Sequence, residues 1–289
     1  MAELTHFSLC SGIGGLDLAA ERAGFKTVAQ CEIDEYASAV LKKRFQGVHN
    51  FGDIRTITNE SVRAARITNK ITVLSAGFPC QPYSLAGKGL GDGDERDLWG
   101  EVARTIGLLQ PSWFVGENTL GLFARTRQRY FTRILADIVS LGYSVSWGVW
   151  GAYDVGANHR RNRLFLVAHT NSKRRHEKQY DARNLADGQA QRELSATISA
   201  HLPNALPVGL EQRREPPYLV EAERNRMGIQ ENDAGAWWSI EPELGRVAYG
   251  IPERVDRLRC LGNAVVPQQA FPIFEMIAEY ENRSYLVYG

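Results

Sequence analysis

The chain is poor in the residues that would staple it or chelate a metal. Its 289 residues include four cysteines, Cys10, Cys31, Cys80 and Cys260, far apart and with no Cys-x-x-Cys pair. That spacing fits neither a zinc site nor a disulfide framework, and it suits a reducing cytosol. No apolar run approaches the roughly 18 residues that a membrane span needs. The segment Met1-Ala2-Glu3-Leu4-Thr5-His6 has no basic n-region and no long apolar stretch, which argues against a secretory signal. No internal repeat is visible. The net charge is only +1, so there is no global basic signature. Affinity for a polyanion would have to come from a local concentration of charge.

What is present points to a globular α/β protein. Hydrophobic residues make up 44% of the chain and charged residues 23%, enough for one large or two smaller domains with a substantial core. Strand-like and helix-like segments alternate. Residues 6–10, 27–32, 71–76, 113–115, 144–150 and 163–168 read as strands, and 16–23, 36–45, 99–109, 130–141 and 268–280 as helices. Such alternation predicts a doubly wound, mostly parallel sheet. Around Thr170 the texture changes to a polar stretch rich in Arg, Glu, Gln and Asn, with Pro203, Pro207, Pro216 and Pro217. A loop of that length is foreign to a compact core, so a small irregular lobe is expected there. The division expected is therefore 1–169, 170–245 and 246–289. Between His159 and Arg183 eight Lys or Arg face only Glu177 and Asp181. Taken alone, that run is either a polyanion site or a solvated face.

Several segments carry chemistry. The apolar strand Ile71–Ala76 delivers Gly77-Phe78-Pro79-Cys80-Gln81-Pro82, a cysteine in a loop stiffened by prolines. Open α/β sheets place their chemistry at the carboxyl ends of strands, and a thiolate there can add to an electron-poor ring. A lone cysteine is as readily a small buried hydrophobe. Cys10-Ser11-Gly12-Ile13-Gly14-Gly15 is a glycine-dense first βα turn, where backbone can approach a ligand closely or simply turn tightly. Glu32 ends the second strand, where a carboxylate can accept from both hydroxyls of a ribose. Asp53 is either a ligand for an adenine amino group or a turn cap. Glu117-Asn118 follows another buried strand, and burial there can turn a carboxylate into an acid. Alternation would point Arg161 and Arg163 to the same side, within reach of a phosphate or a base carbonyl.

Taken in order, these segments resemble the DNA (cytosine-5)-methyltransferase family along nearly the whole chain, leaving only about Thr170 to Trp237 without a family motif. The combination of Phe78-Pro79-Cys80-Gln81, Glu117-Asn118, Arg161-Asn162-Arg163 and Gly262-Asn263-Ala264-Val265-Val266 is highly specific. The resemblance implies a class I methyltransferase fold with a small target-recognition lobe. It makes Cys80 the nucleophile on C6 of a flipped cytosine, Glu117 the partner of N3, and Arg163 with Arg161 the ligands of O2 and nearby phosphate. It implies S-adenosylmethionine as methyl donor, S-adenosylhomocysteine as product and no metal. Cofactor contacts carry over to Cys10, Gly12, Ile13, Gly15, Glu32, Ile33, Asp53, Ile54, Pro79, Leu98 and Asn263. DNA contacts carry over to Gln81, Ser84, Lys88 and Arg160. The expected partner is double-stranded DNA, met by a monomer in the cytoplasm of a bacterium or a phage-infected host.

The chain departs from the commonest family pattern at Cys10, Ala86, Thr119 and Asn158, none of them a catalytic group. Two other readings compete. The tRNA-methylating branch carries a Cys-Phe-Thr tripeptide, whereas this chain has no cysteine between Cys80 and Cys260. A catalytically silent DNA-binding homologue should have lost Cys80, Glu117 or Arg163, and all three remain.

Overall fold

The computed structural model describes residues 3–79, 97–123, 128–170 and 254–288. The strands are β1 (Thr5–Leu9), β2 (Lys26–Cys31), β3 (His49–Asn50), β4 (Val73–Ala76), β5 (Trp113–Thr119), β6 (Tyr143–Trp150) and β7 (Arg163–Thr170). The helices are α1 (Gly15–Arg22), α2 (Glu35–Arg44), α3 (Asn59–Ala64), α4 (Trp99–Leu109), α5 (Gln128–Ser140), α6 (Arg254–Asn263) and α7 (Pro267–Tyr288). Among the described residues the strands form one sheet in the order β3-β2-β1-β4-β5-β7-β6. The first five pair in parallel, and β7 runs antiparallel between β5 and β6. This is a doubly wound, mostly parallel sheet. The irregular lobe expected after Thr170 lies outside the described residues, as does the loop that carries Cys80.

Both faces of the sheet are covered, so its central strands are apolar on both sides. Phe7, Leu9, Phe114, Leu164 and Leu166 pack under α4 and α5 against Trp99, Val102, Ile106, Ile134 and Ile138. Val73, Val115, Phe165 and Val167 pack on the other side against Leu16, Ala19 and Ala20 of α1 and Ile273, Phe274 and Ile277 of α7. Alternation along β5 thus sends Phe114 to one layer and Val115 to the other. The chain's last helix lies directly on its first, closing the core where the N-terminal strand begins.

The strands end later or begin earlier than periodicity alone suggested where a neighbour supplies hydrogen bonds. Glu117 and Asn118, expected just beyond a strand, lie within β5 because they pair with Phe165 and Leu164 of β7. Elements absent from the sequence reading are short or polar. β3 has two residues, and α3 has no buried residue. A capping box, Thr58 with Ser61, announces α3 all the same. The helix expected from Gln268 to Tyr280 extends to Tyr288.

Candidate active site

The carboxyl ends of β1, β2, β4 and β5 bring the chemistry-bearing segments together. After Leu9 the chain turns through Cys10, Gly12 and Gly14, with φ of 50°, 56° and 86°. Left-handed backbone of this kind favours glycine, and at Gly14 a Cβ would also sit 2.5 Å from the Phe45 ring. The turn presents the Gly12 N–H to Glu32, which accepts it through Oε2 at 2.7 Å. Oε1 of Glu32 accepts the Asp34 N–H at 2.8 Å. The carboxylate is therefore locked by backbone, with a lone pair left on each oxygen.

Asn50 supports Glu32 from β3. Its Oδ1 accepts from the backbone N–H groups of Glu32 at 2.9 Å and Gly52 at 3.0 Å, and its Nδ2 donates to the Glu32 carbonyl at 3.2 Å. Asp53 caps the short turn Ile54–Thr56 by accepting the Arg55 N–H at 3.0 Å, and its side chain is also part of the cavity wall. Both open readings of Asp53 are thus geometrically available. Cys10 is half-buried, and desolvation together with the charge of Glu32 pushes its thiol up to about 12. Burial raises the Cys31 thiol as well, and its Sγ donates to the Gly52 carbonyl at 3.2 Å. Neither sulfur is a nucleophile near neutrality.

On the other side of the cavity stand Gly77-Phe78-Pro79 and Glu117. Asn118 Nδ2 donates to the Phe78 carbonyl at 3.0 Å, tying the segment that leads into Cys80 to the end of β5. Phe78 is buried with its ring 5.2 Å from that of Trp99. Glu117 is 8% exposed and meets Arg163, with 2.9 Å between Nε and Oε1. Burial dominates over the attraction of Arg163 and Arg161 and raises the Glu117 carboxyl to about 7. A carboxyl group poised there can hold a proton at neutral pH or release it.

Arg161 does not follow the alternation expected of it. β7 begins only at Arg163, and Arg161 has a φ of 33°. Its guanidinium turns to the backbone, donating to the carbonyl oxygens of Gly262 at 2.8 Å and of Ala264. It is still close enough to bias Glu117 electrostatically. Arg161 thus ties the β7 entry to the α6–α7 connection, while Arg163 faces the carboxylate.

One continuous cavity of about 810 Å³ joins these groups. Cys10, Gly12, Glu32, Ile33, Asp53, Ile54, Leu98 and Asn263 line one part of it, and Pro79, Glu117, Asn118 and Arg163 another. Ile33 is 67% exposed, an apolar side chain standing free at the Glu32 end. Ile13 and Gly15 are not in its wall. They line a neighbouring cavity of about 690 Å³ with Leu18, His159, Arg161 and Val265. Gly15 faces the α6–α7 connection so closely that a Cβ would meet the Val265 carbonyl oxygen at 2.3 Å.

The sequence profile of C-5 cytosine-specific DNA methylases matches residues 4–226, well over half of the chain. The chain belongs to the C-5 cytosine-specific DNA methylase family. Among curated relatives, the type II methyltransferase M.NgoBI of Neisseria gonorrhoeae is 38% identical over 160 residues, which is 55% of this chain and 48% of the relative. M.HgiBI of Herpetosiphon aurantiacus is 36% identical over 171 residues, 58% of this chain and 37% of the relative. The chain spans about half or less of the length of these relatives. The structure of a putative DNA modification methyltransferase from an E. coli prophage superposes with a TM-score of 0.52 at 27% identity, covering 60% of this chain and 48% of that one. The S. pombe Dnmt2 methyltransferase shares the fold over 97% of this chain and 100% of its own, with a TM-score of 0.57 at 17% identity.

Within this methylase chain, Cys80, Gln81, Ser84 and Lys88 fall outside the described residues, and Arg160 is exposed and lines neither cavity. Four residues that hold or line the site escaped the sequence reading: Asn50, Asn118, Asp34 and Arg259. Asn118 stood in a quoted motif without a role. Asp34 caps α2 by accepting the Ala37 N–H at 2.9 Å, and Arg259 Nη2 donates to its Oδ2 at 2.5 Å. An Asp two residues past a strand-end Glu is a readable N-cap signal. Arg259, 225 residues away in sequence, has no such local signature.

Proposed function

We propose that the protein is a sequence-specific DNA cytosine-C5 methyltransferase. The observation that carries this reading is Glu117, a buried carboxyl raised towards neutrality, paired with Arg163 and sharing one cavity with Glu32 and the segment leading to Cys80. The cavity residues fit S-adenosylmethionine. Glu32 would take the ribose hydroxyls, Asp53 the adenine amino group, Ile33 the face of the adenine ring, and the backbone near Gly12 the amino-acid end. When bound, this cofactor supplies an electrophilic methyl group.

The protein's own groups must make C5 of cytosine a nucleophile. A cytosine inside a duplex cannot present C6 to a thiol, so it has to leave the stack. Cys80 adds as thiolate to C6, forming the S–C6 bond, while Glu117 delivers a proton to N3 and so absorbs the charge that develops there. Arg163 orients Glu117 and offers N–H donors to O2. C5 is then enamine-like and is the methyl acceptor. Removal of the C5 proton by a base re-forms the C5–C6 double bond and expels Cys80 as thiolate, and the proton on N3 returns to Glu117, restoring both groups. Arg161 serves this chemistry by fixing the Gly262–Ala264 backbone behind Asn263. Residues 170–245 supply the bases' readers, with Arg, Gln and Asn side chains suited to bidentate major-groove contacts. The protein works as a monomer on double-stranded DNA in the cytoplasm of a bacterium or an infected host, and sequence-specific methylation suits a restriction–modification partner.

The test is expression in a cytosine-methylation-free host followed by bisulfite sequencing. Methylcytosine at one short motif, absent with Cys80→Ala, is the expected result. Soluble protein that binds S-adenosylhomocysteine and methylates tRNA in place of DNA, or neither, would overturn the proposal.

A further inference from the structure

We infer that Asp17 is a positioning residue for the cofactor cradle, acting through a chain of hydrogen bonds that ends on its carboxylate and sets Gly12 against Glu32. The inference rests on the reading that the Gly12–Glu32 end of the cavity binds S-adenosylmethionine. Asp17 lies in the first turn of α1 and is fully buried between that helix and the sheet. Ser8 Oγ donates to its Oδ1 at 2.7 Å, and Gln30 Nε2 donates to the same oxygen at 2.9 Å. Ser8 and Ser11 hydroxyls stand 2.6 Å apart, and Ser11 Oγ accepts the Cys31 N–H at 3.2 Å.

Proton counting makes this chain directional. Ser8 has one hydroxyl proton and gives it to Asp17, so Ser11 must be the donor across the contact with Ser8. The order is Cys31 N–H to Ser11, Ser11 to Ser8, and Ser8 to the carboxylate. Two of its members adjoin cofactor-cradle residues. Ser11 precedes Gly12, and Cys31 precedes Glu32, the two groups joined by the 2.7 Å bond described above. The chain therefore fixes the glycine turn to the end of β2, so the cradle is assembled before a ligand arrives.

The cost of the arrangement argues that it does more than fill space. Asp17 Oδ2 is buried and has no hydrogen-bond partner among the described residues. Desolvation raises the carboxyl to about 6, which leaves it mostly ionised at neutral pH. A buried charge with one bare oxygen is an expensive way to begin a helix, since an exposed capping side chain would do so with less desolvation. Asparagine would keep one acceptor for Ser8 and Gln30. It would also weaken both bonds by removing the charge and place an NH₂ group where the bare oxygen stands.

Titration of wild type and Asp17→Asn with S-adenosylhomocysteine, alongside Tm and DNA affinity, tests the inference. Kd should rise about tenfold, the loss expected for neutralising a charge-assisted bond. In turnover on bulk unmethylated DNA, KM for S-adenosylmethionine should rise while kcat at saturation and DNA affinity stay near wild type. Ser11→Ala, which cuts the chain midway, should move Kd the same way and add little to Asp17→Asn. Ile277→Ala in α7 is the stability control; it should lower Tm and leave Kd unchanged. Wild-type Kd in folded Asp17→Asn, or a loss matched by the control at equal Tm, overturns the inference and leaves the function proposal standing. Wild-type protein that does not bind S-adenosylhomocysteine overturns both.

Discussion

Gly15→Ala should damage the proposed cofactor cavity from outside its wall. The added Cβ would lie 2.3 Å from the Val265 carbonyl oxygen, 3.1 Å from its carbonyl carbon and 3.2 Å from its Cβ. Backbone cannot rotate away as a flexible side chain would. Relief to an ordinary contact of about 3.4 Å requires about 1 Å of movement between α1 and the α6–α7 connection. Arg161 holds the end of α6 and that connection at Gly262 and Ala264, and Asn263, the last residue of α6, lines the cavity. Overpacking of this size costs about 1–3 kcal/mol, and a shift of about 1 Å in a positioned group can lower the rate about 100-fold. The assay is thermal unfolding with titration of S-adenosylhomocysteine, compared with Gly100→Ala. Gly100 lies in α4 and would meet nothing within 4 Å, so alanine there should stabilise by roughly 0.5–1 kcal/mol and leave binding intact. Gly15→Ala with wild-type Tm and cofactor affinity would refute the claim that Gly15 sets the distance between the two segments.

Two further predictions concern protonation. If Glu117 works as the acid, kcat/KM should fall about tenfold per pH unit above about pH 7, where its raised carboxyl ionises in the free protein. Glu117→Gln should lower kcat by about 100-fold or more and abolish that descending limb; a limb that persists assigns it to another group. His6 is fully buried, bonded to Ser75 at 2.8 Å and Thr27 at 3.3 Å, and desolvation lowers it from 6.5 to about 3. Its folded pKa lies below the unfolded one, so its contribution is complete above about pH 6.5 and is lost as pH falls towards 3, by about 1.4 kcal/mol per unit. NMR should find the ring neutral at pH 5, and His6→Gln should flatten the pH dependence of unfolding by about half a proton at pH 6.5, rising to nearly one proton at pH 5. A charged His6 at pH 5 would contradict the burial argument.

The sheet was legible because its central strands are covered on both faces and therefore read as short apolar runs separated by amphipathic helices. The segments 6–10, 27–32 and 71–76 needed no partner to be recognised. What was hard to read was whatever owes its conformation to a neighbour. β5 extends over Glu117 and Asn118 only because β7 offers ladder bonds there. α6 exposes Val255, Leu258 and Leu261, so its register carries no buried stripe for periodicity to detect.

The candidate site divides in the same way. Cys80, Glu117, Arg163, Glu32 and Gly12 stood out because each sits in a short motif whose residue types have few other uses in combination. Arg161 was named with them, and only the structure sends its guanidinium to the carbonyls of Gly262 and Ala264. The carbonyls that take its guanidinium lie about 100 residues further on, so no local pattern announced them.

By itself the sequence determined the family, the layered α/β class and the choice of candidate site residues, because these depend on residue type and local order along the chain. The tertiary structure decided how those groups are tuned. It buries Glu117 deeply enough to bring its carboxyl near neutrality beside Arg163. It locks Glu32 to Gly12, and it ends a hydrogen-bond chain on Asp17. Desolvation and hydrogen-bond direction are properties of an assembled interior, set by contacts between residues distant in sequence, so no local pattern could have specified them.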